Sequence, residues 1–82
     1  MQKHKVKIYS TPTCPYCIMA KEYLKEHKVV FEDVNVAENH EAAEEMVEKS
    51  RQRGVPVIVI DDKIVVVGFD RPALQKALGL KD

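Results

Sequence analysis

The sequence has no excess of charge of either sign, and this absence excludes two classes of partner. Its 13 Lys and Arg residues balance its 13 Asp and Glu residues, so the formal net charge is zero. A protein that binds nucleic acid or an anionic membrane surface usually carries a basic patch, because phosphate groups are negative. We therefore expect this chain to bind neither nucleic acid nor membrane.

Long apolar runs are missing as well. No segment approaches the roughly 20 apolar residues that a membrane-spanning helix needs. The segment Met1–Lys5 is charged but lacks the apolar core of a signal peptide. We therefore expect a cytoplasmic protein. A chain of 82 residues has room for one domain, residues 1–82, and we expect that domain to be a monomer.

Cysteine is scarce, and the chain contains two, Cys14 and Cys17. A disulfide between them closes too small a loop to stabilise a fold, so the core must come from well-patterned strands and helices. The same short spacing lets the two sulfurs form a disulfide and separate again as two thiols. In a cytoplasmic protein, a close cysteine pair is more often catalytic or metal-binding than structural.

The cysteine pair lies where a predicted strand gives way to a predicted helix. Val6–Ser10 has the composition of a strand, and a helical period follows over about Pro15–His27. On that helix, Cys17 shares the inner face with Ala20 and Leu24. A C-x-x-C pair at a strand-to-helix junction is typical of thioredoxin-like redox motifs.

Cys14 falls at the predicted N-cap of this helix, and Pro15 falls at its first position, where a fixed φ and a missing N–H are tolerated. The first N–H groups of a helix have no partner within it, and the helix dipole is positive at that end. The N–H groups of Tyr16 and Cys17 therefore favour negative charge on the Cys14 sulfur. Cys14 is the predicted nucleophile, and Cys17, which faces the core, is the predicted resolving cysteine.

The rest of the chain alternates between helical and strand-like patterns. It predicts, in order, a strand over Val30–Val36, a helix over His40–Arg51 capped by Asn39, strands over Val57–Ile60 and Ile64–Val67, and a helix between Asp70 and Gly79. We expect the charged second strand to lie at a sheet edge, and the apolar hairpin strands to be covered on both faces. The Glu-rich face of the second helix is expected to be solvated. The order β-α-β-α-β-β-α predicts an α/β fold, with a four-stranded mixed sheet flanked by three helices.

A close dithiol can reduce a target disulfide in two steps. An exposed thiolate forms a mixed disulfide with the target, and the second thiol then displaces the product. Two other interpretations stay open. In the first, the cysteine pair is half of a zinc site. A closed zinc site needs four ligands, and His4, His27 and His40 show no paired ligand spacing. A second chain would therefore have to contribute the remaining ligands. A structural disulfide is the other, although a short cytosolic chain rarely uses one.

Three stretches together resemble a glutaredoxin of the thioredoxin superfamily: Tyr9–Cys17, Gln52–Pro56 and Gly68–Asp70. The similarity extends over essentially the whole chain, and Cys-Pro-Tyr-Cys is the usual dithiol motif of that family. From the residues alone, Pro56 also reads as an ordinary proline at the start of a strand. The resemblance implies a thioredoxin fold, a cis bond between Val55 and Pro56, and the reduction of protein disulfides or glutathione mixed disulfides.

The resemblance also implies the residues of the site. The implied catalytic residues are Cys14 and Cys17, and no metal ligand is implied. The implied substrate-binding residues are Pro15, Tyr16, Gln52, Arg53, Val55, Pro56, Gly68 and Asp70. In this family, the Arg or Gln near the cis-proline and the Asp after the glycine turn bind the two ends of glutathione. No bound cofactor is implied, and electrons are expected from glutathione or from an enzyme of the thioredoxin-reductase type.

Two departures from the family pattern weaken the expected binding of glutathione. Thr11 stands where the family usually has lysine, and Val67 precedes Gly68 where the family usually has two glycines. Gly68 and Phe69 are also similar to the glutaredoxin-like donors of ribonucleotide reductase, which take electrons from thioredoxin reductase. The expected partners are therefore protein disulfides, a reductase and, more weakly, glutathione. The alternative is a module that binds an iron–sulfur cluster or zinc through Cys14 across a dimer.

Overall fold

The structure, a computed structural model, describes residues 4–80 as alternating strands and helices. In chain order, the elements are β1 (Val6–Ser10), α1 (Pro15–Glu26), β2 (Phe31–Asn35), α2 (His40–Ser50), β3 (Val57–Ile60), β4 (Ile64–Val67) and α3 (Arg71–Leu78). The predicted order is confirmed. Several predicted bounds are too long by a residue or two, because the end residues adopt cap or loop conformations. Arg51, for example, has a φ of 60° and caps α2 instead of continuing it.

The strands form one mixed sheet in the order β2-β1-β3-β4. β1 pairs in parallel with β2, and α1 connects them. The other two pairings, β1 with β3 and β3 with β4, are antiparallel. β2 carries Glu32 and Asp33 and lies at an edge of the sheet, as predicted. The predicted four-stranded mixed sheet with three helices is therefore confirmed.

Alternation along the two central strands divides the core into two clusters. Ile8 and Ile58 are fully buried in one cluster, which includes Leu24 of α1 and Leu74 of α3. Their neighbours in sequence belong to the second cluster, which consists of Tyr9, Val57 and Val59 with Ala42 and Met46 of α2. Successive residues of a strand point to opposite faces of the sheet, so each face receives its own helices.

Short polar side chains determine where α2 and α3 begin. Asn39 Oδ1 accepts a hydrogen bond from the Ala42 N–H at 3.0 Å, and Asp70 Oδ1 accepts one from the Ala73 N–H at 3.2 Å. Each bond satisfies a donor that the first helical turn leaves unpaired. α3 ends at Gly79, whose φ of 67° is accessible to glycine at little cost. Within residues 4–80, no helix is both long and apolar enough to cross a bilayer.

The prediction that both hairpin strands are covered on both faces is right for β3 and wrong for β4. Every residue of β3 is buried, whereas Ile64, Val65 and Val67 keep 41%, 37% and 48% of their surface exposed. The sheet order leaves β4 with a neighbouring strand on one side only. A run of β-branched residues looks the same in a central strand and in an edge strand, so the sequence does not distinguish them.

The prediction that the acidic face of α2 is solvated is wrong for Glu45. Its Oε1 atom accepts hydrogen bonds from the Tyr9 hydroxyl and from Lys7 Nζ, the latter at 3.1 Å. Lys49, one helical turn further on, lies 3.5 Å from the same atom. The hydrogen bonds from Tyr9 and Lys7 outweigh burial and lower the pKa of Glu45 to about 2.

Glu45 is expected to make stability depend on pH. Its pKa is lowered to about 2 from an ordinary 4.5, so its contribution is complete above pH 4.5 and is lost as pH falls through 2. The side chain is 42% exposed, and solvent screening limits the effect. We expect Glu45→Gln to lower the free energy of unfolding at neutral pH by about 1 kcal/mol, and by much less near the folded pKa.

Urea unfolding at neutral and acid pH measures this difference. Glu48→Gln removes an exposed charge from the same helix and serves as the matched control, with little effect expected at either pH. An equal loss of stability at both pH values in Glu45→Gln would contradict the assignment.

Candidate active site

Cys14 lies in the loop between β1 and α1 and caps the helix. Its backbone is extended, with φ −91° and ψ 112°, and Pro15 begins the helix directly after it. The Cys14 Sγ atom accepts a hydrogen bond from the Cys17 N–H at 3.2 Å. This donor and the positive end of the helix dipole both favour a negatively charged sulfur. The predicted placement of Cys14 at the N-cap is therefore confirmed.

Cys17 lies one turn further along α1 and is completely buried, whereas Cys14 is half-buried. Both are free thiols. Burial raises the pKa of Cys17 to about 11, and a hydrogen bond with Cys14 acts in the same direction. Cys17 is therefore protonated at neutral pH. This asymmetry suits Cys14 to attack a disulfide first, and Cys17 to act afterwards on a sulfur already bonded to Cys14.

The Val55–Pro56 peptide bond lies beside the dithiol and is cis, as predicted. The Val55 carbonyl oxygen lies 3.8 Å from Cys14 Sγ, within hydrogen-bonding distance of a thiol. Pro56 is buried, and its carbonyl oxygen accepts a hydrogen bond from the Gly68 N–H at 2.8 Å. The φ of Gly68 is 79°, a left-handed conformation that glycine adopts readily. The fold thus brings together four of the predicted site residues.

Gln52, a predicted substrate-binding residue, uses its side-chain amide to close the loop before Val55. Its Oε1 accepts a hydrogen bond from the Gly54 N–H at 2.6 Å, and its Nε2 donates to the Gly54 carbonyl oxygen at 2.9 Å. A Cβ atom at position 54 would lie 2.8 Å from Gln52 Oε1, so a larger residue there would displace the end of the Gln52 side chain. Both ends of the Gln52 amide are therefore already engaged in holding the loop.

Arg53 and Asp70, the residues expected to bind the two ends of glutathione, line different hollows of the surface. Arg53 is exposed and lines a hollow beside α2, together with Glu44 and Glu48. Asp70 lines a hollow between β4 and α3, together with Lys76. Its carboxylate also caps α3. Binding of glutathione by Arg53 and Asp70 stays a prediction.

The start of α1 exposes apolar side chains close to the dithiol. Tyr16 is 62% exposed, Ile18 50% and Met19 45%. Tyr16 is one of the predicted binding residues, whereas sequence reasoning missed Ile18 and Met19. The sequence does contain a signal for them, because both are apolar and both lie outside the core-facing side of α1 that contains Cys17. Exposed apolar groups gathered in one place mark contact surfaces on soluble proteins.

The arrangement does not build a metal centre from residues 4–80. In that range, no three His, Cys, Asp or Glu side chains are grouped so that they could hold a metal ion. A closed zinc site needs four ligands. A metal or cluster at Cys14 would therefore require ligands from outside this part of the chain, as the dimeric alternative supposes.

Comparisons with known sequences point to one family. Residues 6–65 match the family model for glutaredoxin. One relative is an uncharacterized glutaredoxin-like 8.6 kDa protein in the rubredoxin operon of Clostridium pasteurianum. The two sequences are 52% identical over 73 residues, which cover 89% of this chain and 96% of the relative.

Solved structures give the same fold. Methanoredoxin from Methanosarcina acetivorans superposes with a TM-score of 0.90 and 25% identity, over 98% of this chain and 90% of its own. The glutaredoxin-like protein NrdH-redoxin from Escherichia coli superposes with a TM-score of 0.77 and 27% identity, over 95% of this chain and 99% of its own. The structural neighbours include a thioredoxin-like protein, and the predicted thioredoxin fold is confirmed.

We expect iodoacetamide to modify Cys14 well before Cys17. The thiolate is the reactive form, and Cys17, with a pKa of about 11 and no exposed surface, stays protonated near neutral pH. Brief alkylation of the reduced protein across a range of pH, followed by peptide mapping, measures the two rates. In urea-unfolded protein both cysteines should react at similar rates. Preferential labelling of Cys17 in the folded protein would reverse the assignment of roles.

Proposed function

Since the chain belongs to the glutaredoxin family, we propose that it reduces the disulfide bonds of protein substrates through Cys14 and Cys17. The family supports thiol–disulfide oxidoreductase activity in general, and the cysteine pair is present here. The observation that carries the proposal is the contrast between the two sulfurs. Cys14 Sγ accepts a helical N–H at 3.2 Å and is half-buried, whereas Cys17 is buried and protonated.

The proposed reaction has two steps. In the first, the Cys14 thiolate attacks one sulfur of the substrate disulfide, forms a mixed disulfide and releases the other substrate sulfur, which takes up a proton. In the second, Cys17 loses its proton and attacks Cys14 Sγ, so that the bond from Cys14 to the substrate breaks. The substrate gains two electrons and two protons, and the protein ends with a Cys14–Cys17 disulfide. An external reductant then restores the dithiol.

Protein disulfides fit the surroundings of Cys14 better than a small thiol compound does. Tyr16 and Met19 expose apolar surface near the dithiol, and a partner must be wide enough to cover it. The Val55 carbonyl oxygen lies 3.8 Å from Cys14 Sγ, where the backbone of an extended substrate segment can pair with it. We place this activity in the cytoplasm, where a reversible cysteine pair is kept reduced.

An enzyme of the thioredoxin-reductase type is the proposed electron source, and glutathione is a weaker one. Thr11 supplies no positive charge where the family usually has lysine. The side chains of Gln52 and Asp70 are already engaged in a loop and a helix cap. The NrdH-redoxin from Escherichia coli, which is similar over 95% of this chain, has a thioredoxin-like activity profile. These observations favour reduction by a protein partner.

Cys17→Ser should retain the first step and lose the second, because serine provides no sulfur to resolve the mixed disulfide. The variant should accumulate a covalent complex with a disulfide-containing test protein such as insulin, visible on non-reducing gels. Cys14→Ser should form no such complex and reduce no insulin. A Cys14→Ser protein that retained substantial reductase activity would rule out this mechanism.

Thr11→Lys should improve turnover with glutathione by a few-fold, because an exposed ionic contact contributes up to about 1 kcal/mol. Turnover with thioredoxin reductase and NADPH should change less, since a protein partner contacts a wider surface. Parallel assays with the two reductants measure both effects. Thr13→Lys adds the same charge to the same loop and is the matched control. If the original protein is already efficient with glutathione and Thr11→Lys changes nothing, the proposed preference is wrong.

A further inference from the structure

A polar cluster of Lys21, Asp33 and Ser10 lies between α1 and the strands β1 and β2. Lys21 Nζ lies 2.8 Å from Asp33 Oδ2, and the Ser10 hydroxyl donates a hydrogen bond to Asp33 Oδ1 at 2.9 Å. Ser10 is almost completely buried, and the Lys21 side chain is 22% exposed. Three elements therefore hold one ammonium group at a defined position beside the helix.

Lys21 lies on the same face of α1 as the buried Cys17. The two residues are four apart, about one helical turn, so their side chains are neighbours. Burial raises the pKa of Cys17, while a hydrogen bond with the Thr11 backbone and, to a smaller extent, the positive charge of Lys21 act in the opposite direction. Once Cys14 is bonded to a substrate sulfur it carries no charge. The positive charge of Lys21 still acts on Cys17 in that state.

Asp33 holds Lys21 and is not suited to take the proton of Cys17. Burial acts to raise the pKa of Asp33, but the hydrogen bonds from Lys21 and Ser10 outweigh it and hold the pKa below its usual range. A carboxylate with a lowered pKa is a poor proton acceptor. The working part of the cluster is therefore the positive charge of Lys21.

We propose that Lys21, positioned by Asp33, stabilises the Cys17 thiolate that attacks the mixed disulfide and thereby controls the rate of the second step. The inference rests on the proposed function, because this step exists only after Cys14 has bonded to a substrate. In the step, the S–H bond of Cys17 and the S–S bond from Cys14 to the substrate break. The Cys14–Cys17 bond forms, and the proton ends on the released substrate thiol.

Other charges near the helix must be considered in the pH dependence of this step. The charged or titratable side chains placed near α1 include Cys14 at its N-cap, Lys21, Tyr23 and Lys25 on the helix itself, Asp33 on β2, and Arg71 at the start of α3. The Asp70 carboxylate accepts the Ala73 N–H, and Arg71 lies 5.6 Å from the centre of the Tyr23 ring. Lys25 is exposed and acts on Asp33. Lys21 is therefore the residue to substitute.

A stopped-flow reaction with the chromogenic disulfide dithiobis(nitrobenzoate) separates the two steps. The reduced protein releases one coloured nitrothiobenzoate when Cys14 attacks, and a second when Cys17 resolves the mixed disulfide. In Lys21→Gln, we expect the second release to slow about three- to tenfold while the first stays unchanged. The pH at which the second release accelerates should rise by up to about one unit.

Two matched variants separate the effect of charge from an effect on folding. Lys21→Arg keeps the positive charge and should restore most of the rate and the pH profile of the second release. Lys25→Gln removes the same charge one turn further along α1, from an exposed position, and should leave both releases unchanged. Thermal unfolding of each variant shows whether the fold is retained.

The outcomes distinguish this inference from the proposed function. Selective slowing of the second release in Lys21→Gln, with recovery in Lys21→Arg, supports the inference. An unchanged second release in Lys21→Gln, or equal slowing in Lys25→Gln, overturns the inference and leaves the proposed function intact. Release of both coloured products by Cys14→Ser would overturn the proposed function itself.

Discussion

The hydrogen bond from the Cys17 N–H to the Cys14 sulfur is the contact on which the site depends. It forms because Pro15 starts α1 directly after Cys14, which places the donor in the first helical turn. The same turn directs the Cys17 side chain into the core. One local geometry therefore stabilises charge on the first sulfur, while burial under the helix keeps the second sulfur protonated.

The sheet holds partly buried charges on both of its faces. Asp33 holds Lys21 on the α1 side, and Glu45 accepts hydrogen bonds from Tyr9 and Lys7 on the α2 side. In both clusters, hydrogen bonds from neighbouring elements offset the cost of removing charge from water. Their consequences differ. The first cluster acts on Cys17 and so on the proposed second step, whereas the second acts on stability at acid pH.

Much of the fold follows from patterns that act over a few residues. Cys14, Asn39 and Asp70 each cap a helix by accepting an N–H group three residues further along the chain, and that relation is visible in the sequence. The order of strands and helices follows from the hydrophobic period. The cis Val55–Pro56 bond is different. Because few X-Pro bonds are cis, the residues alone do not predict it, and the prediction rests on the resemblance to glutaredoxins.

The dithiol at a helix N-terminus can be predicted from the order of the amino acids, since the residues that create it are adjacent in the chain. Which side chains meet across long separations depends on how the strands and helices pack. The exposure of β4, the contact of Glu45 with Tyr9, and the pairing of Lys21 with Asp33 all depend on strand order and register. Side chains alternate with a period of two in edge strands and in central strands alike. The position of a strand in the sheet therefore depends on the packing of the whole chain.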